Sequence, residues 1–528
     1  MNIGNEAIAE MSKTKDEGAI LSERSVVHQL ANAFNHFGAR PALKVGRNIW
    51  SYDQLAGPVF ETTKTLEDQA GDQPLVGVLC ARNQNAYAAI LAVLMSGRGY
   101  VPLNPKLPME RLQKIVQASG IKTVLIEPKQ ISLAGQINPD LSVIELVLRA
   151  DASARPIPWD YTPPKLSDGD IAYLLFTSGS TGEPKGVAVS HGNLRTYVGT
   201  VNRLYAYVPD DVHSQTFELT FDLSVHDMMC AFTTGGCLVR MSGAELLSPL
   251  AVIRKQGITC WFSVPSLASM LATQGALTDG SAAGLRVSLF CGEALPVSVA
   301  NAWLRAAPNA VLENLYGPTE ATIAFTRQRW SAAGNGQARL GLVPIGAAFA
   351  GQETAIIDAQ DRVQPGVASG ELLLSGAQVT GAYWHDPDNT YRRYLELDGR
   401  RWYRTGDLVE QGEDGTLYFV GRLDSQIKFR GYRIELREIE NALSQIIGSE
   451  LVVVLPWPKQ DQEIKALTAI VAIKCDAGAV LQSLRSLLPD YMIPSSVRYI
   501  ETFPKNMSGK VDRNALTAWL EDSLSSDQ

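Results

Sequence analysis

The sequence predicts an α/β fold in a large N-terminal part, closed by an antiparallel or barrel-like section, with a small α+β part behind it. Three observations lead there. Short apolar runs rich in β-branched residues recur between helical patterns: LVGVLC at 75–80, KTVLIE at 122–127, AYLLFTS at 172–178 and RVSLFCGE at 286–293. That rhythm belongs to parallel sheets covered by helices. Between 340 and 425 the texture changes to short strands punctuated by Gly and Asp, as in GQETAIID, GELLLSG, WYRTGDLV and GTLYFVG, the pattern of an antiparallel sheet or barrel. After Gly421 the chain turns highly charged (RLDSQIKFRGYRIELREIE), Leu436 to Ile447 reads as an amphipathic helix, and the strand-like LVVVLPW and LTAIVAIK follow.

A chain of 528 residues is long enough for several domains with sizeable cores. The boundary falls near Asp424, which gives domains at 1–423 and 424–528. Forty-seven basic and 55 acidic side chains leave a net charge of −8, which argues against nucleic acid as a partner. The six cysteines, Cys80, Cys230, Cys237, Cys260, Cys291 and Cys475, form no Cys-x-x-Cys pair. They read as buried thiols in a reducing compartment rather than a disulfide framework or a zinc knuckle. The first twenty residues are mostly polar or charged, and the longest apolar runs, such as Ala88 to Met95, are far too short for a bilayer. The expectation is a soluble cytoplasmic protein with no membrane partner.

The strongest local signal is LLFTSGSTGEPKGVAVSH at 174–191, a strand entering a loop with three glycines, several hydroxyls and Lys185. Glycines let backbone N–H groups close around an anion, hydroxyls donate to it, and the lysine supplies charge. The spacing is not that of a Walker loop. A flexible Gly/Ser turn would explain the glycines but not the density of donors. A second cluster, ENLYGPTEATIAF at 313–325, offers the Asn314 amide, the Tyr316 ring for stacking a base and the Glu320 carboxylate, a hard ligand suited to magnesium. In the third, WYRTGDLV at 402–409, Asp407 follows a glycine in a tight turn. It could accept both hydroxyls of a ribose, or simply serve the turn.

Together these segments resemble the adenylate-forming superfamily, in particular the amino-acid adenylation domains of nonribosomal peptide synthesis, and are similar to prolyl- and D-alanine–carrier protein ligases. The resemblance runs in order through LMSGRGYVPLNP (94–105), FTSGSTGEPKG, FDLSVHDM (221–228), LFCGEALP (289–296), NLYGPTEAT, GELLLSG (370–376), YRTGDL and GRLDSQIKFRGYRIEL (421–436), to PKNMSGKVDR (504–513). It implies an N-terminal adenylation core of two α/β subdomains plus a small β-barrel-like subdomain, and a small mobile C-terminal domain carrying a catalytic lysine.

By this resemblance the cofactors are ATP and Mg²⁺. Thr177, Ser178, Gly179, Ser180, Thr181 and Lys185 would form the phosphate loop, with Thr181 and Lys185 acting in catalysis, and Glu320 would hold the metal. Gly292, Asn314, Tyr316, Gly317, Thr319 and Phe419 would line the nucleotide site, with Asp407 and Arg422 as the ribose pair. Phe419 stands where relatives often carry tyrosine, and Asn104 where many carry aspartate. Lys510 would bridge the substrate carboxylate and the phosphate, Asp424 would be the hinge, and the Lys428 segment would face the site for a second step, thiol attack on the mixed anhydride. Fifteen residues follow Arg513 without a Ser-containing carrier motif, so the phosphopantetheine thiol is expected from a separate peptidyl carrier protein.

Substrate class is read from FDLSVHDM. Asp222 matches the aspartate that pairs with an α-ammonium group in amino-acid-activating members, and a buried carboxylate without a cation is costly. The alternative is a helix N-cap before the helical pattern at 223–230. The remaining lining positions are Leu223, His226, Leu267, Leu289, Cys291, Leu315, Ile323 and Ala324, mostly apolar and without a second charge. A small neutral amino acid is expected, proline first, then alanine or serine. His226 is either a polar handle for a substrate hydroxyl or a histidine satisfied within the core. The competing functions are a carboxylic acid–CoA ligase, which Asp222 weighs against, and a catalytically silent nucleotide-binding protein, which would be expected to lose Lys510, Glu320 or Asp407.

Overall fold

A computed structural model describes residues 25–149, 161–178, 183–331, 338–364, 366, 368–449, 451–460, 463–505 and 511–525. The first twenty residues, Gly179, Ser180, Thr181 and Lys510 lie outside the described residues. Two compact units divide the rest: the residues up to Pro105 with Val116–Leu175 and Gly186–Gly421, and a second unit of Lys106–Ile115, Phe176–Lys185 and the residues from Arg422 on.

The first unit contains two mainly parallel sheets. One has six strands in the order Ser142–Glu145, Thr123–Ile126, Leu75–Leu79, Gly99–Leu103, Ile171–Thr177, Lys185–Ser190. Every residue of Leu75–Leu79 and Gly99–Leu103 is buried, as expected where helices cover both faces of a parallel sheet. The other has nine strands. It is parallel from Val311–Tyr316 through Val287–Phe290, Cys260–Ser263, Val212–Gln215 and Cys237–Arg240 to Pro41–Val45, with antiparallel strands at both ends.

Two helices are buried on nearly every side and therefore sit inside the fold rather than on it. Gln84–Met95 is buried from Asn85 to its last residue. Leu223–Thr234 is buried from Leu223 to Phe232, ends in left-handed Gly235 and packs on the helices Val26–His36 and His191–Tyr205. The stretch between 340 and 425 is antiparallel, as expected: Gln352–Ile357, Ser369–Gly376, Arg400–Gln411 and Tyr394–Leu397 in order, with Leu417–Arg422 pairing Arg400–Gln411.

In the second unit the helix spans Leu436–Ile447, as its periodicity predicts, and packs on the strand Val452–Pro456 and the helix Ala477–Leu487. That strand joins Leu467–Val471 and Ser496–Tyr499 in a three-stranded sheet. One expectation fails here: five cysteines are buried, but Cys475 is exposed, because it lies beyond the end of the strand Leu467–Val471, before the next helix.

Trp303, whose ring lies 5.7 Å from that of Trp261 in one buried cluster, tests how much packing this core holds. Trp303 is fully buried, donates from Nε1 to Ser288 Oγ at 2.9 Å and meets Phe290 edge-on at 5.2 Å. Trp303→Ala should cost about 3–5 kcal/mol. Trp303→Phe, which loses mainly the hydrogen bond, should cost about 1–3 kcal/mol. Thermal unfolding followed by circular dichroism should rank both variants below the parent, with Trp303→Ala the lower of the two.

Candidate functional site

The strand Val311–Tyr316 delivers its last residues into a turn that sits inside the protein. Glu320, on a 3-10 turn over Thr319–Ala321, is completely buried. Its Oε1 accepts from the Tyr383 hydroxyl at 2.7 Å, and the Thr380 N–H donates to its backbone carbonyl at 2.8 Å. Gln378 secures the far side of the turn: its Nε2 donates to Ala324 O at 2.7 Å and its backbone carbonyl accepts from Thr322 Oγ1 at 2.6 Å. Gly317 is a glycine for a packing reason, since a Cβ there would lie 2.7 Å from Ala324 Cα. Thr322 and Ile323 have φ of 58° and 73°. Left-handed backbone is unfavourable for β-branched residues and costs about 1–3 kcal/mol each, a strain that concentrates at functional sites.

Behind Glu320 stand three tyrosines that sequence reasoning missed. The Tyr383 and Tyr403 hydroxyls are 3.3 Å apart, and Thr380 Oγ1 and the Tyr394 hydroxyl share a hydrogen bond at 2.6 Å. Burial, and then the Glu320 carboxylate, hold the Tyr394 phenol well above its ordinary pKa, so it stays a neutral hydroxyl. Tyr383 and Tyr394 stand in no motif, and nothing in the YRTGDL run that Tyr403 opens points to Glu320, which lies far away in sequence.

Asn314 is anchored by its amide nitrogen, which donates to Pro344 O at 2.9 Å and Val343 O at 3.3 Å, while its buried Oδ1 has no partner among the described residues. The Tyr316 hydroxyl donates to Asp407 Oδ2 at 2.5 Å. Asp407 does not sit in a tight turn as expected. It lies within the long strand Arg400–Gln411, at a bulge where the register against Ser369–Gly376 shifts between Glu371 and Leu373. Gly406 has φ 71° there, Thr405 Oγ1 accepts from the Asp407 N–H at 3.0 Å, and Glu371 Oε1 accepts from the Gly406 N–H at 3.0 Å. A bulge re-aims one side chain out of its alternation. Gly292 has φ 93°, Thr319 is half-buried, and Phe419 packs beside Tyr316 in one apolar cluster.

Of the nucleotide residues expected from the sequence, the second unit holds Thr177, Ser178, Lys185 and Arg422. Ser178 Oγ donates to Arg433 O at 2.8 Å and accepts from the Glu435 N–H at 3.2 Å. Lys185 opens the strand Lys185–Ser190. Arg422 forms a forked pair with Asp424 at 2.7 and 2.8 Å.

Asp222 occupies the N-cap position of Leu223–Thr234 and is 7% exposed, but its side chain makes no capping bond. Leu223, Leu289, Cys291, Leu315, Ile323 and Ala324 share one buried cluster. Leu267 is partly buried and packs against the cluster that holds Trp261 and Trp303. His226 is satisfied in the core. Its Nδ1 shares a hydrogen bond with the Tyr197 hydroxyl at 2.8 Å, its Nε2 with that of Tyr207 at 3.3 Å, and its ring lies 4.7 Å from Phe262.

Asp211, His213 and Cys260 bring ligand atoms within 4.8 Å of one another, yet they are not arranged for a metal. Both Asp211 oxygens are taken, by Arg286, by Thr259 Oγ1 at 2.8 Å and by the Val208 N–H at 2.9 Å, and the guanidinium repels a cation. Among the described residues no helix is long and apolar enough to cross a membrane.

A family model described as AMP-binding enzyme matches residues 30–384. A plipastatin synthase polypeptide of Bacillus subtilis (strain 168) is 33% identical over 90% of this chain, which spans only 18% of that relative. The Vibrio cholerae adenylation domain AlmE, solved with glycyl-adenosine-5'-phosphate, superposes with a TM-score of 0.86 at 30% identity, covering 94% of this chain and 98% of that one. Holo-PA1221, described as containing adenylation and PCP domains and bound to a vinylsulfonamide inhibitor, gives 0.77 at 25% identity over 93% of this chain and 84% of that one.

Burial, with a smaller push from His213, lowers the His226 pKa to about 3. In the unfolded chain the ring gains its proton near 6.5. Its contribution to stability is therefore complete above pH 6.5 and is lost as pH falls from 6.5 toward 3. His226→Gln cannot titrate, so its melting temperature should fall less steeply than that of the parent between pH 6.5 and 4. Equal slopes would show that His226 does not remain neutral in the fold.

Proposed function

From the premise that the chain belongs to the AMP-binding enzyme family, we propose that it activates an amino acid with ATP and hands it to a phosphopantetheine carrier protein. A carboxylate oxygen attacks the α-phosphorus, the bond to pyrophosphate breaks, and an aminoacyl-AMP forms. The carrier thiol then attacks the acyl carbon, AMP leaves, and a thioester results. The observation that carries this reading is Asp222, a buried carboxylate at the head of a buried helix that does not cap it. Its position matches the aspartate that pairs with an α-ammonium group in amino-acid-activating members, and that weighs against a CoA ligase of simple carboxylic acids.

The chain's residues have distinct tasks in this reading. The Asn314 Oδ1 atom, buried and without a partner among the described residues, is an acceptor suited to the exocyclic amine of adenine. Asp407, held by Tyr316, takes ribose hydroxyls, and Arg422 assists there. Glu320, a hard oxygen donor fixed by Tyr383, fits Mg²⁺. When bound, that ion would offset the charge of the phosphates. Thr181, Lys185 and Lys510 supply donors and positive charge to the same anions, since positioning and electrostatics dominate phosphoryl transfer. Asp424 serves as hinge between domains at 1–423 and 424–528.

The substrate is a small neutral amino acid. The lining is apolar and carries no second charge, and a related adenylation domain holds a glycyl adenylate. Because both His226 nitrogens are engaged within the core, that ring offers no partner to a substrate hydroxyl. Proline and alanine therefore stand ahead of serine.

Substrate-dependent exchange of labelled pyrophosphate into ATP, run across the amino acids, tests this directly. Exchange with one or a few small neutral amino acids is expected, and exchange with none would sink the proposal. Asp222→Asn should raise the amino-acid KM by roughly 100-fold, the cost of a lost charged hydrogen bond, with the ATP KM unchanged. Lys510→Ala should lower exchange by at least about 100-fold.

A further inference from the structure

On either side of the stretch 506–510, which carries Lys510, the second unit holds the chain by its backbone. Lys505 and Val511 face each other in an antiparallel bridge, and the Asp512 N–H donates to Pro504 O at 2.8 Å. The two ends of the stretch are thereby brought together, and Val511 is the covalent neighbour of Lys510. Asp512 then starts the helix Arg513–Ser525: its Oδ1 accepts from the N–H groups of Asn514 at 3.0 Å and Ala515 at 3.1 Å, which satisfies donors left open at a helix start.

Arg513, the first residue of that helix, ties it to the rest of the unit. Its Nη1 donates to Val454 O at 2.8 Å and its Nη2 to Glu440 Oε1 at 2.5 Å. The same Glu440 oxygen accepts from the Val454 N–H at 2.8 Å. One guanidinium and one carboxylate thus close a ring of hydrogen bonds around Val454, joining the last helix to the strand Val452–Pro456 and the helix Leu436–Ile447. The Glu440 side chain is only 13% exposed, so this pair is stronger than an ion pair in open solvent. Leu516 and Leu520 bury the helix against Val453, Leu455 and Trp457, but apolar packing is non-directional. The polar pair is what fixes the position of the helix start, and with it Asp512 and Val511.

We propose that Arg513 and Glu440 are positioning residues for Lys510: through Asp512 and Val511 they hold the backbone that presents its ammonium group. This rests on the adenylation step proposed above and on the part given there to Lys510. Stabilisation of phosphate and carboxylate by a fixed charge depends steeply on placement, and a shift of about 1 Å can cost roughly 100-fold in rate.

Pyrophosphate exchange in the full chain, with the amino acid that the parent accepts best, tests it. Arg513→Ala and Glu440→Gln should each lower kcat roughly tenfold, while the ATP KM stays, because Asn314 and Asp407 are untouched. Glu440→Gln keeps an acceptor for the Val454 N–H, so the test survives if Arg513→Ala fails to fold. Arg513→Lys, which keeps the charge but not the fork to two acceptors, should fall between Arg513→Ala and the parent. The deciding measurement is the cycle with Lys510→Ala. If Arg513 acts through Lys510, Arg513→Ala lowers exchange no further in the Lys510→Ala background. A second loss there as large as the first would show that the pair serves the fold at large and would overturn the proposal. Parent-like kcat in folded Arg513→Ala and in Glu440→Gln would overturn it too. Parent-like exchange in Lys510→Ala would overturn the part given to that lysine, and a parent that exchanges with no amino acid would overturn the function; this inference falls with either.

Discussion

The carboxyl group of Glu320, held where no solvent reaches it, is the constraint around which the first unit is built. Carboxylates are buried elsewhere in the same unit, and their partners differ in kind. Glu313 accepts from Arg327 at 2.7 Å and Tyr205 at 2.8 Å, and Glu371 from Arg404 at 2.6 Å. There a guanidinium balances the charge, and the pair fixes strands. Glu320 and Asp407 instead take phenol hydroxyls, from Tyr383 and Tyr316. A phenol orients a carboxylate through one hydrogen bond but brings no counter-charge of its own. The phenol therefore fixes where the carboxylate oxygens point.

That positioning is achieved at the expense of local backbone comfort. The turn after Tyr316 places two β-branched residues, Thr322 and Ile323, at positive φ, and it folds Gly317 against Ala324 so closely that no side chain fits. The surroundings hold the strain: Gln378 binds the turn from one side, and the Phe325 N–H donates to Tyr316 O at 2.7 Å. The consequence is a single connected piece. The strand end that carries Asn314 and Tyr316, the turn that carries Glu320 and the pocket positions Ile323 and Ala324 cannot move independently.

What the sequence made legible follows from the range of the interactions involved. The helix Leu436–Ile447 and the buried strands were readable because periodicity is local. The glycine-rich loop and the Gly-Pro-Thr-Glu turn were readable because their chemistry is carried by adjacent residues. Asp407 was found as a residue but misread as a turn, because a bulge is a mismatch between two strands and only the register against Glu371 reveals it. Tyr383, Tyr394 and Tyr403 were invisible because their meaning depends on Glu320, far away in sequence.

His226 shows why the supporting residues matter as much as the lining. One methylene in an apolar pocket changes binding by only about 1–3 kcal/mol, so a pocket that separates small amino acids must have walls that do not yield. His226 is a strut in the core of the first unit. It ties Tyr197, on the helix His191–Tyr205, to Tyr207 beyond the end of that helix, and it stands on the same helix as Leu223, one turn from Asp222. Burial keeps the ring neutral, so the strut needs no counter-ion and adds no second charge beside Asp222. Of the two readings the sequence offers for this residue, a polar handle or a histidine satisfied in the core, the hydrogen bonds to Tyr197 and Tyr207 match the second. His226 holds the helix that begins at Leu223 to the helix His191–Tyr205 and to Tyr207 beyond it.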